Sequence, residues 1–186
     1  MTFRQFAAVV LLALILCPVS IAASRRHPAV YVDRGACPFE CCVYRDWYAR
    51  RPVSIRSSPR SNAKRIANLK TGAKVQALTG FVRTQAGRFR VKRNFGRFVA
   101  GETVWVYTYH GEGYFTVWYK GRLIKESLNF SPYGGSMGKR CEETKYCFGE
   151  LDSELRSDWW VKVRLADGRL GWTNQAGDFS NTDACG

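Results

Sequence analysis

Hydrophobic and polar residues alternate in short β-branched and aromatic runs along most of the chain, punctuated by Gly, Pro, Ser and Asn. No stretch beyond the first two dozen residues keeps a helical period. Period-two alternation bounded by turn residues predicts half-buried strands. The strand candidates are 53–56, 73–79, 88–93, 104–109, 114–119, 122–125, 160–165 and 168–172. Two short helical turns are predicted, at 46–51 and at 150–155. The second sets Leu151 and Leu155 four apart, with acids in its first turn. Asp167-Gly168, lying between two such runs, predicts a tight type I′ hairpin, because Asp-Gly accepts positive φ at little cost.

The pattern from 104 to 119 predicts a hairpin closed by His110-Gly111-Glu112-Gly113. Cross-strand partners share a face. One face would carry Thr108/Phe115, Val106/Val117 and Val104/Tyr119, the β-branched content of a core. The other would carry Tyr109/Tyr114, Tyr107/Thr116 and Trp105/Trp118. That second face is an aromatic plate on which sugar rings or peptide stems could stack, unless the barrel or the Gly-rich loop 131–138 covers it. Trp105, Tyr107, Tyr109 and Trp118 are the candidate contacts.

The opening stretch reads as a secretory signal. Arg4 precedes an unbroken apolar run from 6 to 16, then Pro18, then small residues at the positions a signal peptidase needs. Cleavage is placed after Ala22, with Ala23 as the neighbouring choice and an uncleaved anchor as the alternative. After cleavage no transmembrane span is expected. The chain would be exported, to the periplasm, the cell envelope or the extracellular space. Export makes Cys37, Cys41, Cys42, Cys141, Cys147 and Cys185 a disulfide framework. Adjacent Cys41 and Cys42 are poorly placed to pair with each other. Cys141 suits Cys147, and Cys185 suits the Cys37/Cys41/Cys42 cluster. The CxxxCC spacing is not a zinc knuckle, and His27 and His110 have no paired ligand nearby, so no metal and no cofactor are expected.

With 186 residues the chain is the size of one domain. At 46% hydrophobic and 14% aromatic it is not a disordered chain. Its formal net charge is +14, but the excess is local. No acid lies between Asp46 and Glu102, whereas 14 bases lie from Arg50 to Arg97. Arg88-Phe89-Arg90-Val91-Lys92-Arg93 alternates base with apolar residue, so a strand would aim Arg88, Arg90 and Lys92 to one side, with Arg93 beside them. Such a stripe attracts polyanions. Export argues against nucleic acid and for an envelope polymer or an envelope protein as partner.

Three segments carry a family resemblance. Val53-Ser54-Ile55-Arg56-Ser57-Ser58-Pro59 resembles the opening strand of a bacterial SH3-like (SH3b) domain. Ile66 to Val75, through Thr71-Gly72, is similar to its turn into the next strand. Trp159 to Trp172, with Asp167-Gly168 and a final Gly171-Trp172, resembles its closing hairpin. The resemblance implies a small five-stranded SH3-like barrel split by a large inserted β-meander, within the all-β, disulfide-stapled chain that the strand pattern and the cysteines predict. Its parts would be a signal peptide (1–22), a Cys-rich N-terminal segment (23–52), the barrel halves (53–100 and 158–175), an inserted aromatic meander with a Gly-rich loop (101–157) and a C-terminal tail (176–186). Residues 98–106 match the spacing of 69–77, so the insert is either a second, nested SH3-like unit or a chance convergence of short β-patterns around glycine.

No catalytic residues are assigned. Gly-x-Ser-x-Gly, His-Glu-x-x-His and Ser-x-x-Lys are absent from the sequence. Glu150 with Glu154, or Glu112 with Glu102, are the carboxylate pairs a glycosidase would require. The resemblance implies a non-enzymatic binding module for a cell-envelope component such as peptidoglycan or an anionic polymer. The alternatives are a protein-docking domain that uses the aromatic face, and an envelope hydrolase.

Overall fold

A computed structural model describes residues 26–128, 147–152 and 155–185. The expected signal peptide, the loop 131–138, Cys141 and Glu154 lie outside the described residues. Among those described, the fold is all-β. Its strands are β1 (Val30–Arg34), β2 (Asp46–Ala49), β3 (Val53–Arg56), β4 (Arg65–Leu69), β5 (Lys74–Gln85), β6 (Gly87–Val91), β7 (Thr103–Tyr109), β8 (Tyr114–Tyr119), β9 (Arg122–Ser127), β10 (Gly149–Leu151), β11 (Ser157–Arg164), β12 (Leu170–Thr173) and β13 (Phe179–Ser180). The one helical piece among these residues is a 3-10 turn at Ala176–Asp178, and none is a helix long and apolar enough to cross a membrane.

The strands form two antiparallel sheets. The larger is a curled half-barrel with the order β13-β2-β5-β11-β12-β3-β4. Strand β5 organises it. Along one edge β5 pairs β11; along the other it pairs β2 at one end and β1 at the other. That triple partnership explains why β5 runs to Gln85, well past the predicted end at 79. The smaller sheet has the order β10-β6-β7-β8-β9. It begins at Gly87, so β6 joins the meander although the sequence boundary placed it with the barrel half.

Each sheet covers its own hydrophobic cluster. Trp47, Val53, Ile55, Val75, Val161 and Val163 centre the first. Trp47 is fully buried, and its indole N–H is satisfied by the Val43 carbonyl at 2.9 Å. Phe89, Val104, Val106, Phe115, Val117 and Phe148 centre the second. Phe148 stacks on Phe95 with ring centroids 4.6 Å apart. Two disulfides join described residues. Cys37–Cys42 closes a local loop, and Cys41–Cys185 joins positions 144 residues apart. Cys147 is also disulfide-bonded.

Three local predictions are corrected. Residues 46–51 are not helical: β2 lies between β13 and β5, where Trp47 and Ala49 alternate into the core. The predicted helix at 150–155 begins as strand β10, because Gly149 and Leu151 are buried against β6 with Glu150 turned outward. The Asp167-Gly168 turn is not type I′. Only Gly168 has positive φ, and the Leu165 N–H bonds the Arg169 carbonyl, which makes a three-residue loop with glycine in the left-handed position. The two-residue turn with both positions at positive φ is instead Lys120-Gly121, between β8 and β9.

Candidate binding surfaces

Strand β6 presents its bases as the alternation predicts. Phe89 and Val91 point inward, while Arg88 and Arg90 are exposed with Lys92 beyond them. The stripe is not free, however. β10 lies antiparallel to β6, with Glu150 directly opposite Arg90. Lys92 Nζ sits 2.8 Å from Glu150, Arg90 Nε sits 2.6 Å from Asp152, and Arg88 hydrogen-bonds Asp152. Arg93 donates to the Cys147 carbonyl. Burial pushes the Asp152 carboxyl up, but Arg88 and Arg90 together hold it below the usual carboxylate range. The stripe therefore becomes a mixed-charge ladder. Acids some 60 positions away in sequence cancel what a local window counts as surplus.

The aromatic plate is rearranged too. Trp105 faces Trp118 and Val106 faces Val117 as predicted, but a β-bulge follows and Tyr109 then opposes Phe115 rather than Tyr114. A one-residue slip sends side chains to the other face. Tyr109 accordingly packs against the second core, its ring 5.0 Å from that of Phe115. Tyr107 is 0% exposed. It lies beneath the N-terminal strap, where its hydroxyl donates to the Pro28 carbonyl at 2.7 Å and its ring meets Tyr31. Burial pushes the Tyr107 hydroxyl up to about 12. His27 stacks on Trp105 at 3.6 Å. The chain's own strap thus occupies much of the plate. Trp118 and Trp105 remain half-buried, and beside them Tyr114 and Leu123 are each 42% exposed.

Of the carboxylates weighed for hydrolysis, Glu102 and Glu150 are engaged elsewhere. Glu102 accepts from Tyr119 and pairs with Lys120 at 3.0 Å. The Tyr119 hydrogen bond and then Lys120 hold its carboxyl low, which is the opposite of what a proton donor at neutral pH needs. Glu150 belongs to the β6–β10 ladder. His110 meets both Thr116 (2.8 Å) and Asp33 (3.8 Å) through the same nitrogen, Nε2, so the three do not form a relay across the ring. Cys41, Cys185 and Asp183 cluster within 4.8 Å, but both sulfurs are used in the disulfide.

Sequence reasoning passed over a different surface. Strand β4 is the free edge of the large sheet. The β3–β4 hairpin and its flank carry Arg56, Arg60, Lys64, Arg65 and Lys70, all exposed except the half-buried Arg56. Arg56 donates to the Ala63 carbonyl across the loop. Among the described residues none of the five pairs with a carboxylate, whereas Arg51, Lys74, Arg83 and Arg97 all do. The signal was present in the same acid-free window; what was missing was the knowledge of which bases the fold neutralises. No family model, curated protein or solved structure matches this chain.

Proposed function

We propose that the protein is an exported, non-enzymatic binding module that engages an anionic component of the cell envelope. One observation carries this reading. Among the described residues most carboxylates are spent on ladders and local pairs, and a block of cations on the large sheet pairs with none of them. Uncompensated like charges on an ordered surface draw polyanions by long-range field and counterion release. The opening strand β3 pairs β12 of the closing hairpin, through Trp172 and Arg56, which supports the SH3-like reading of the large sheet.

The test is retention of residues 23–186 on purified envelope fractions across a salt series. Binding that weakens steeply with salt supports the proposal; no retention, or retention indifferent to salt, refutes it. A second reading, docking of a protein partner, rests on exposed Tyr114 and Leu123 beside Trp118. It predicts salt-tolerant capture that is lost on Trp118→Ala.

A further inference from the structure

We infer that the β3–β4 hairpin is the docking surface, and that its ligand is a linear, phosphate-bearing polyanion. This rests on the binding-module reading above and gives it a place and a chemistry. β4 is an edge strand: among the described residues β3 is its one strand partner, and Arg169 donates to its Ile66 carbonyl at 2.9 Å. From Arg65 to Lys70 the strand spans roughly 17 Å at its usual rise per residue. Lys64 and Arg60 continue the cations around the loop, and because side chains alternate along a strand the set wraps the sheet edge and presents to both faces. A chain with repeated charges can engage several of these cations at once, which a single small anion cannot.

The donor chemistry favours phosphate. Ser57, Ser61 and Asn62 are exposed in the loop among the bases. Guanidinium forks with neighbouring hydroxyl and amide donors match an oxyanion that accepts many hydrogen bonds. The loop from 57 to 63 holds no large apolar side chain to enter a bilayer, which weighs against a membrane surface. Cations on an edge also deter strand-to-strand aggregation, but that role does not require the hydroxyl-rich loop or the absence of a partner acid among the described residues.

The experiment compares two variants of equal net charge. One carries Arg60→Gln, Lys64→Gln, Arg65→Gln and Lys70→Gln. The other carries Arg34→Gln, Arg122→Gln, Lys125→Gln and Arg156→Gln, away from the hairpin. Binding to inorganic polyphosphate is measured at several salt concentrations, with thermal unfolding confirming that both variants fold. The hairpin variant is expected to lose about tenfold or more in affinity and to bind with a shallower salt slope, as four fewer phosphate contacts require. The control is expected to stay within about threefold of the parent, because distant charges are screened. Equal losses in the two variants overturn the hairpin assignment while leaving the binding-module reading intact. Polyglutamate bound as tightly as polyphosphate, or hairpin-dependent retention on anionic vesicles without polyphosphate binding, overturns the phosphate-polymer assignment. If the parent is not retained on envelope fractions at all, the underlying reading fails instead.

Discussion

Arg90 Nε lies 2.6 Å from an oxygen of Asp152, although the two come from segments that the sequence separates by an entire meander. That contact converts a basic strand into half of an ion-pair ladder. With Glu150→Gln and Asp152→Asn together, Arg88, Arg90 and Lys92 lose their counter-charges. Polyanion affinity should rise rather than fall, and stability should drop by about 1 kcal/mol, since the pairs are partly solvated. Titration with polyphosphate and urea unfolding check the two effects; unchanged affinity would show that the ladder masks nothing.

The same acid sets a pH dependence. The Asp152 carboxyl is held below its ordinary value of 3.8. Its contribution to stability is therefore complete above that value and disappears as pH falls through the lower folded value. Acid unfolding of Asp152→Asn should show a shallower loss of stability below about pH 4 than the parent. Identical acid curves would refute the assignment.

His110 gives a second window. Burial pushes its imidazole below 6.5, with Asp33 pulling it up and Lys125 pushing it down. A depressed histidine stabilises the fold above its ordinary value, and that stability is lost as pH falls toward the folded value. The melting temperature should decline as pH drops below about 6.5, and His110→Gln should flatten that decline. A variant that keeps the full slope would place the titrating group elsewhere.

The disulfides should be unequal. In the loop-entropy account, the bridge with a sequence separation of 144 contributes about 5 kcal/mol and the one with a separation of 5 about 2. Cys41→Ser with Cys185→Ser should therefore lower stability more than Cys37→Ser with Cys42→Ser, as measured by guanidinium unfolding.

Gly171 is constrained by space rather than by φ. A methyl group there would meet Ile55 and stand 3.1 Å from the Arg56 carbonyl. Gly171→Ala should cost about 1–3 kcal/mol by overpacking, whereas at Gly177, where nothing lies within 4 Å, the same change should cost little.

Local pattern was legible wherever one face of a strand meets a core. Val104, Val106, Val117 and Phe115 are all fully buried, as their alternation predicts, and the bounds of β3 and β8 match their sequence runs. The link from Cys185 back to the N-terminal cysteines was also legible, because few partners suit a terminal cysteine. The β6–β10 pairing was not. It joins segments with no shared local signal, and the short acidic run of β10 has helix-like spacing. The bulge after Val106 was hidden for a related reason. A perfect alternation from 104 to 109 gives no mark of where one residue will be looped out, yet that single residue decides whether Tyr109 faces a ligand or the interior. Charge counted along the chain does not separate Arg88 to Lys92, which meet acids, from Arg60 to Lys70, which pair with no carboxylate among the described residues, because only the fold says which acids arrive.

The Cys41–Cys185 bridge also fixes how the molecule bears mechanical load. Tension applied to the two ends of the described chain passes from residue 40 to Cys41, crosses one sulfur–sulfur bond and leaves at Cys185. Every residue between 42 and 184, and so both sheets except β1, lies in a covalent loop outside that path. Pulling can peel β1 from β5 and lift the strap from Tyr107, but it cannot unravel the rest while the bridge is intact. A chain held and pulled at its two ends would keep the β3–β4 hairpin folded under forces that open an unbridged β-domain of the same size.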